Sequence, residues 1–211
     1  MKMTKEPIDT ATAPIVLARS AVVSVAVVLP VAFLTARYRS PFAGPLNAVV
    51  VAGFALPGLV IALSMVFLAL RVPALSSLYQ TLPLLLLAYV IHFGAQAYRS
   101  AQVGVGAVDE RLGEAARTLG AGRLRRLWRV ELPLMLPPLA AGGGLVMLST
   151  MKELPATLLA APLGFDTLAT RIWTANEGGF LADAGMASLV LIAVSALLTW
   201  LLVIRRADHL R

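Results

Sequence analysis

Five long runs of apolar residues, separated by polar or mixed segments, set the pattern of this chain. Each run approaches the roughly 20 residues that a helix needs to cross a bilayer. The pattern therefore predicts an all-α fold: a polytopic transmembrane bundle of about five helices that forms a single domain over 1–211. The predicted spans are 14–36, 46–70, 82–98, 134–151 and 184–204.

Composition indicates that lipid is the main solvent. Of the 211 residues, 59% are apolar and 14% are charged, whereas soluble domains carry about 25% charged residues. The net charge of +7 would indicate a nucleic-acid partner for a soluble protein. In a membrane protein such an excess sets topology instead, so we expect membrane lipid as a partner and no nucleic acid. Cysteine is absent, which excludes disulfides and thiol nucleophiles.

The distribution of Lys and Arg predicts which segments face the cytoplasm. Segment 99–133 is the most basic, and cytoplasmic loops collect basic residues. Placing it inside gives 12 basic residues inside and 5 outside. It also makes 152–183 an extracytoplasmic loop and puts the N-terminus outside. A cleaved signal peptide is the alternative for the first span, but Arg37 and Arg39 follow it directly and favour retention.

The charged segment has a helical pattern of its own. Asp109 is a candidate N-cap, and Gly120 stands where a helix end favours a residue that tolerates positive φ. A second short helix is predicted to start after Gly122. The first helix would carry one apolar face, which is too apolar to lie free in water and predicts a docked partner. That face consists of Leu112, Ala115, Ala116 and Leu119.

Seven residues of this segment form a spaced motif: Glu114, Ala115, Ala116, Gly120, Val130, Leu132 and Pro133. The motif resembles the EAA loop of binding-protein-dependent ABC importer permeases, with Val130 at the usual isoleucine position. In that family the loop docks into a cleft of the cytoplasmic ATPase subunit. The resemblance therefore implies that these seven residues couple the chain to an ATPase.

A second resemblance covers segments 152–157 and 163–173, which look like the C-terminal half of ferric iron permeases in the same superfamily. It implies a bacterial inner-membrane subunit that works with a second permease half or copy, two ATPase subunits and an extracytoplasmic binding protein. The chain has no P-loop, so we expect ATP on the ATPase subunit and no cofactor on this chain.

Three polar residues in or beside the spans are candidates for the substrate path. His92 and Gln96 lie one helical turn apart in the third span, where they either bond neighbouring helices or line a passage. Glu153 follows the fourth span, which also carries three consecutive glycines, 142–144, suited to close helix packing or to a local break. We expect no catalytic residue, because the spans carry no paired carboxylates, and no metal site, because no ligand spacing supports one.

Charge favours a cationic cargo. The predicted outer loop 152–183 has a net charge of −2, whereas the cytoplasmic segment has +3. Iron, polyamines and thiamine are all cations, and the second resemblance favours ferric iron. The alternatives are the same class of importer for thiamine, a polyamine or a sulfate-like anion, or a non-transporting membrane scaffold that docks a cytoplasmic partner.

The predicted topology can be tested in this cysteine-free chain. Single cysteines at Gly122 and Gly178 should react with a membrane-impermeant thiol reagent from opposite sides of the membrane. If the reagent labels both positions from outside intact cells, the five-span topology is wrong.

Overall fold

The computed structural model describes residues 12–37 and 41–204, and the regular structure in these ranges is helical throughout. This confirms the predicted all-α fold. A short 3₁₀ helix lies at Pro73–Leu78, and π-helical turns lie at Leu127–Glu131 and Trp200–Ile204. The α-helices are α1 Thr12–Arg37, α2 Ala43–Ala55, α3 Gly58–Arg71, α4 Leu82–Gly106, α5 Glu110–Thr118, α6 Arg123–Arg126, α7 Leu132–Lys152, α8 Pro155–Ala160, α9 Leu168–Glu177 and α10 Leu181–Thr199.

The predicted span 46–70 is not one helix. It is the pair α2 and α3, bent by 105° at a short break. Pro57 has no N–H and disfavours helical geometry in the residue before it. Leu56 accordingly has an extended backbone, with φ −80 and ψ 137. The continuous apolar run conceals this backbone break, and the crossing of the membrane by 46–70 stays a prediction.

Helix α4 is longer than the predicted span 82–98, and it is the central helix of the bundle. It packs against α1, α2, α3, α7 and α8. Its last two turns carry Arg99 and Gln102, which end the apolar run in the sequence, but they also carry the fully buried Ala101 and the nearly buried Val105. The connection to α5 is therefore only a few residues long.

The predicted second short helix of the charged segment does not stand alone. Helix α6 continues through the π turn Leu127–Glu131 into α7, and together they form one helical element of 30 residues, Arg123–Lys152. Pro133 has no N–H and cannot donate a backbone hydrogen bond to the preceding turn. The residue before it, Leu132, donates its N–H to the carbonyl of Leu127, five residues back, which closes the π turn. The charged segment is thus joined to a membrane helix without a flexible linker.

Within the described residues, three helical elements are long and apolar enough to cross a membrane, and the bent pair α2–α3 could supply a fourth crossing. They are Ala13–Arg37, Arg123–Lys152 and Leu181–Leu202. Helix α4 has 25 residues, enough for a crossing, although its polar residues lower its hydropathy. The five-span count and the assignment of sides stay predictions. The N-terminal segment 1–11, Arg39 and 205–211, on which part of the charge argument depends, lie outside the described residues.

The predicted outer loop 152–183 contains two helices, α8 and α9. Helix α8 packs against α3 and α4, and Ala156, Thr157 and Ala160 are buried there. The first part of this segment therefore belongs to the bundle.

Two glycines lie where helices α4 and α7 approach each other closely. A Cβ added at Gly142 would overlap the side chain of Ser100, and one added at Gly104 would lie 3.2 Å from Cγ of Pro138. Because α7 runs unbroken through 142–144, the packing interpretation of these glycines is confirmed and a local break is excluded.

The close approach predicts that Gly142→Val will lower stability by about 1–3 kcal/mol, the typical cost of overpacking a core. Thermal unfolding of the detergent-solubilised protein would measure it. Gly185→Val is the matched control, since position 185 is also helical but has open space around it. Equal unfolding temperatures for the two variants would contradict the packing role of Gly142.

Candidate functional site

The corner of the charged segment has the geometry that its sequence predicts. The Asp109 side chain accepts a hydrogen bond from Arg111 N–H at 3.0 Å and caps α5. Gly120 has φ +79, and Ala121 N–H bonds to the carbonyl of Ala116 at 2.9 Å. Such a helix end needs a residue that tolerates positive φ, which glycine does at no steric cost.

The tip of the segment presents apolar side chains that the described residues leave largely exposed. Leu119 is 87% exposed, Leu124 73% and Trp128 65%. Of the motif residues, Glu114, Ala115 and Gly120 are exposed, and Ala116 is half-buried. Glu114 makes no ion pair or hydrogen bond with any residue in the described ranges.

The other motif residues lie at the base of the segment, where the helix enters the bundle. Val130 and Leu132 are half-buried, and Leu132 packs against the apolar core. Pro133 is exposed in the first turn of α7. The motif therefore divides into an exposed part on α5 and its corner, and a packed part at the start of α7.

A buried ion cluster lies between these two parts. Glu131, whose side chain is 4% exposed, places Oε1 at 2.9 Å from Arg126 Nε and at 3.4 Å from Arg37 Nη1. Arg37 Nη2 also donates to the carbonyl of Val108 at 3.3 Å. We name Arg37, Arg126 and Glu131 the Glu131 cluster. It brings Arg37 of α1 to the same end of the bundle as the charged segment, in agreement with the predicted common side.

Helix α5 lies directly against this cluster. A Cβ added at Gly113 would be 3.6 Å from Cδ of Arg126 and 3.8 Å from Oε1 of Glu131. A cavity of about 800 Å³ opens between the cluster and the Gly120 corner. The sequence motif does not include the residues of the Glu131 cluster. The one signal for the cluster in the sequence was an acidic residue, Glu131, immediately before an apolar span.

Next to the cluster, polar side chains join α1 to α4. Tyr98 Oη donates to Thr35 Oγ1 at 2.8 Å, and Gln102 Nε2 donates to Tyr98 Oη at 2.9 Å. This end of α1 is therefore held both by α4 and by the Glu131 cluster.

The structure brings together two of the three predicted path residues. Glu153 Oε2 lies 3.9 Å from His92 Nε2, and Glu153 Oε1 accepts a hydrogen bond from Ala156 N–H at 3.2 Å. A Cβ at Gly58, the first residue of α3, would lie 3.4 Å from His92 Nε2 and would overlap the Glu153 carboxylate. The break between α2 and α3 thus faces this pair.

A hydrogen-bonded chain supports the backbone of Glu153 from the other side. Thr157 Oγ1 donates to the Glu153 carbonyl at 2.6 Å and shares a hydrogen bond of 2.5 Å with Tyr89 Oη. Tyr89 and Thr157 are fully buried, and the sequence interpretation missed both. His92 Nδ1 is buried and has no hydrogen-bond partner in the described part of the chain.

Gln96 is separate from this pair. Its Oε1 accepts a hydrogen bond from Ser149 Oγ at 3.0 Å, so it joins α4 to α7. Its observed role is thus the interhelical hydrogen bond, one of the two interpretations that its sequence position allows.

The Glu153–His92 pair lies deep along the bundle. Helix α7 rises by about 31 Å over its length, and His92 lies about 15 Å along α4 from Leu82. Because Glu153 caps α7 and pairs with His92, the end of α7 lies beside the middle of α4. Among the described residues, no group of three or more His, Asp or Glu could hold a metal ion.

Together these features define a multi-pass membrane protein with a paired carboxylate inside its bundle and a helical loop exposed at one end. The chain belongs to the family of binding-protein-dependent transport system inner membrane components, which it matches over residues 28–208. It is therefore a permease component of that transporter class.

Two relatives agree with this family, and a solved structure shares the fold. The Fe(3+)-transport system permease protein FbpB 2 of Haemophilus influenzae is 30% identical over 182 residues, 86% of this chain and 36% of that protein. The molybdenum transport system permease protein ModB of Escherichia coli K12 is 32% identical over 110 residues, 50% of this chain and 47% of that protein. The chain thus spans less than half the length of either relative. An inward-facing structure of the MetNI methionine ABC transporter shares the fold, with a TM-score of 0.61 at 16% identity over 92% of both chains.

Proposed function

We propose that this chain is the transmembrane permease subunit of an ATP-driven importer of ferric iron in the bacterial inner membrane. An extracytoplasmic binding protein delivers the iron, and a second permease half or copy completes the path. ATP binds to a separate cytoplasmic ATPase subunit, so this chain holds no cofactor and carries out no catalysis. The observation that carries the proposal is the uncovered apolar tip of the charged segment, joined without a linker to a membrane helix.

The coupling role of the segment is supported by its two-part construction. Leu119 and Leu124 expose large apolar side chains outside the bundle, and such surfaces mark protein interaction sites. The docked ATPase would push on α5 and the Gly120 corner. Because α6 runs into α7 through a continuous helix, that displacement reaches the membrane.

The corner offers a direct test of coupling. Gly120→Val places a β-branched residue at φ +79, with a cost of about 1–2 kcal/mol for the left-handed conformation. We expect uptake to fall while the protein still inserts into the membrane, as measured by transport assay and immunoblotting.

Gly122→Val is the matched control, since Gly122 has φ −66 and, like Gly120, has open space around it. It should transport almost normally. Normal transport by Gly120→Val together with its ATPase would show that this corner is not part of the coupling element.

The choice of ferric iron is supported by the acidic balance of 152–183, by the Glu153 carboxylate inside the bundle and by the similarity to FbpB 2. Carboxylate oxygens are hard ligands, which suit hard cations such as ferric iron. An oxyanion is a second candidate because ModB is also similar.

Deleting the chain should abolish iron uptake. Loss of molybdate uptake with intact iron uptake would instead favour the second candidate.

Glu153→Gln tests whether the carboxylate lies on the path. We expect iron uptake to fall about tenfold or more, equivalent to about 1.4 kcal/mol of lost stabilisation, while assembly is retained. Glu177→Gln is the control, because it removes the same charge from an exposed position in the same segment and should keep most of the uptake. Unchanged uptake in Glu153→Gln would remove this residue from the path. A scaffold that only docks a partner predicts no effect of either change on any uptake.

A further inference from the structure

The Glu131 cluster lies where the cytoplasmic segment meets the membrane helices. Its three side chains come from α1, α6 and the last residue of the π turn, and Gly113 of α5 packs against it. Arg37 also holds the carbonyl of Val108, between α4 and α5. One buried carboxylate therefore pairs with α6 and with a membrane helix distant in sequence, and α5 lies beside it.

A buried ion cluster of this kind fixes geometry more than it adds stability. Removing charges from water costs much of what their attraction returns, whereas removing one partner leaves the other charge buried and unpaired. Arg126 and Arg37 both approach the same oxygen of Glu131, so a movement of α6 relative to α1 breaks one contact unless α1 follows.

The π turn strengthens this dependence. Arg126 and Glu131 are five residues apart, and in a regular α-helix such side chains point about 140° away from each other. A turn with hydrogen bonds between residues five apart brings them nearer to the same face. The 2.9 Å contact between them is thus favoured by the local helix geometry as well as by charge.

We propose that Glu131 is a positioning residue that locks the charged segment to α1, so that one displacement of α5 and α6 moves α1 together with α7, into which α6 runs directly. This inference rests on the proposed function, since it assumes that an ATPase moves the segment. With Glu131 neutralised, the ATPase should still bind and hydrolyse ATP and α7 should still move with α6, but α1 should no longer follow.

The test uses the full chain in complex with the ATPase that co-purifies with it, and it does not depend on the cargo. Two single thiols report on the two helices separately. Ser149→Cys lies on the partly buried face of α7 that meets α4, and Thr35→Cys lies on the partly buried face of α1 that meets α4. We expect ATP to change the rate of thiol labelling at both positions. Glu131→Gln should reduce the change at Thr35→Cys about fivefold or more, the lower end of typical coupling between sites, and should retain the change at Ser149→Cys and ATP hydrolysis.

Arg126→Gln and Arg129→Gln form a matched pair for the same measurement. Arg126 belongs to the cluster, whereas Arg129 lies on the π turn, is exposed and makes no ion pair within the described residues. Arg126→Gln should weaken the ATP-dependent change and Arg129→Gln should not. The double variant with Arg126→Gln and Glu131→Gln should be no worse than Glu131→Gln alone, because the two residues act as one unit.

The possible outcomes distinguish failure of this inference from failure of the proposed function on which it rests. If ATP does not affect labelling of Ser149→Cys alone, the coupling function is wrong and the inference fails with it. If ATP changes the labelling of Thr35→Cys equally with and without Glu131→Gln, the function stands and the positioning role is overturned. If Glu131→Gln does not accumulate in the membrane, Arg37→Gln decides, because it removes the contact to α1 and leaves Glu131 paired with Arg126. A normal response of Thr35→Cys in the Arg37→Gln variant would then overturn the inference.

Discussion

The close approach of α4 and α7 is the constraint on which the rest of the structure depends. At Gly142 the only side chain between the two helices is that of Ser100, which occupies the space that a Cβ on residue 142 would need. Once this crossing is fixed, the length of α7 determines what lies at each end of it. One end brings Glu131 to Arg37 of α1, and the other brings Glu153 to His92 of α4. Both buried carboxylates therefore owe their positions to the same helix contact.

The two carboxylates have different partners, and this difference matches their proposed roles. Glu131 is paired with two guanidinium groups, which stay charged and hold a carboxylate in a fixed geometry. Glu153 has one backbone N–H and an imidazole that is charged only when protonated. A permanently paired group suits a mechanical joint, whereas a carboxylate with a weaker partner can exchange that partner for a cation. Buried ionisable residues within a membrane protein are costly and are kept where they serve such purposes.

Local features of the charged segment could be predicted from the sequence because they depend on residues a few positions apart. The Asp109 cap and the Gly120 corner are of this kind, and the motif that led to the family includes the same corner. Pro57 was visible in the sequence as a helix-breaking residue, but the apolar run on both sides of it led to the prediction of one continuous span. The true end of α4 was concealed because Arg99 and Gln102 are polar although the helix continues.

Contacts between distant parts of the chain could not be predicted in this way. Arg37 and Glu131 are 94 residues apart, and no periodicity connects them. His92 and Glu153 were each recognisable as polar residues in or beside apolar spans, but their meeting depends on how α7 packs against α4. The sequence does not determine the cargo either, because a relative named for iron transport and one named for molybdenum transport have nearly equal identity to this chain, 30% and 32%.

The coupling of the exposed segment to an ATPase can be measured by photo-crosslinking from Leu119, which is 87% exposed at the tip. A photoreactive amino acid at this position, in intact cells, should crosslink to a polypeptide that mass spectrometry identifies as an ATP-binding ATPase subunit. The same group at Leu189, on the exposed face of α10, should not crosslink to that subunit. Crosslinking of the ATPase from Leu189 but not from Leu119, or from neither position in a complex that hydrolyses ATP, would contradict the assignment of this segment as the coupling element.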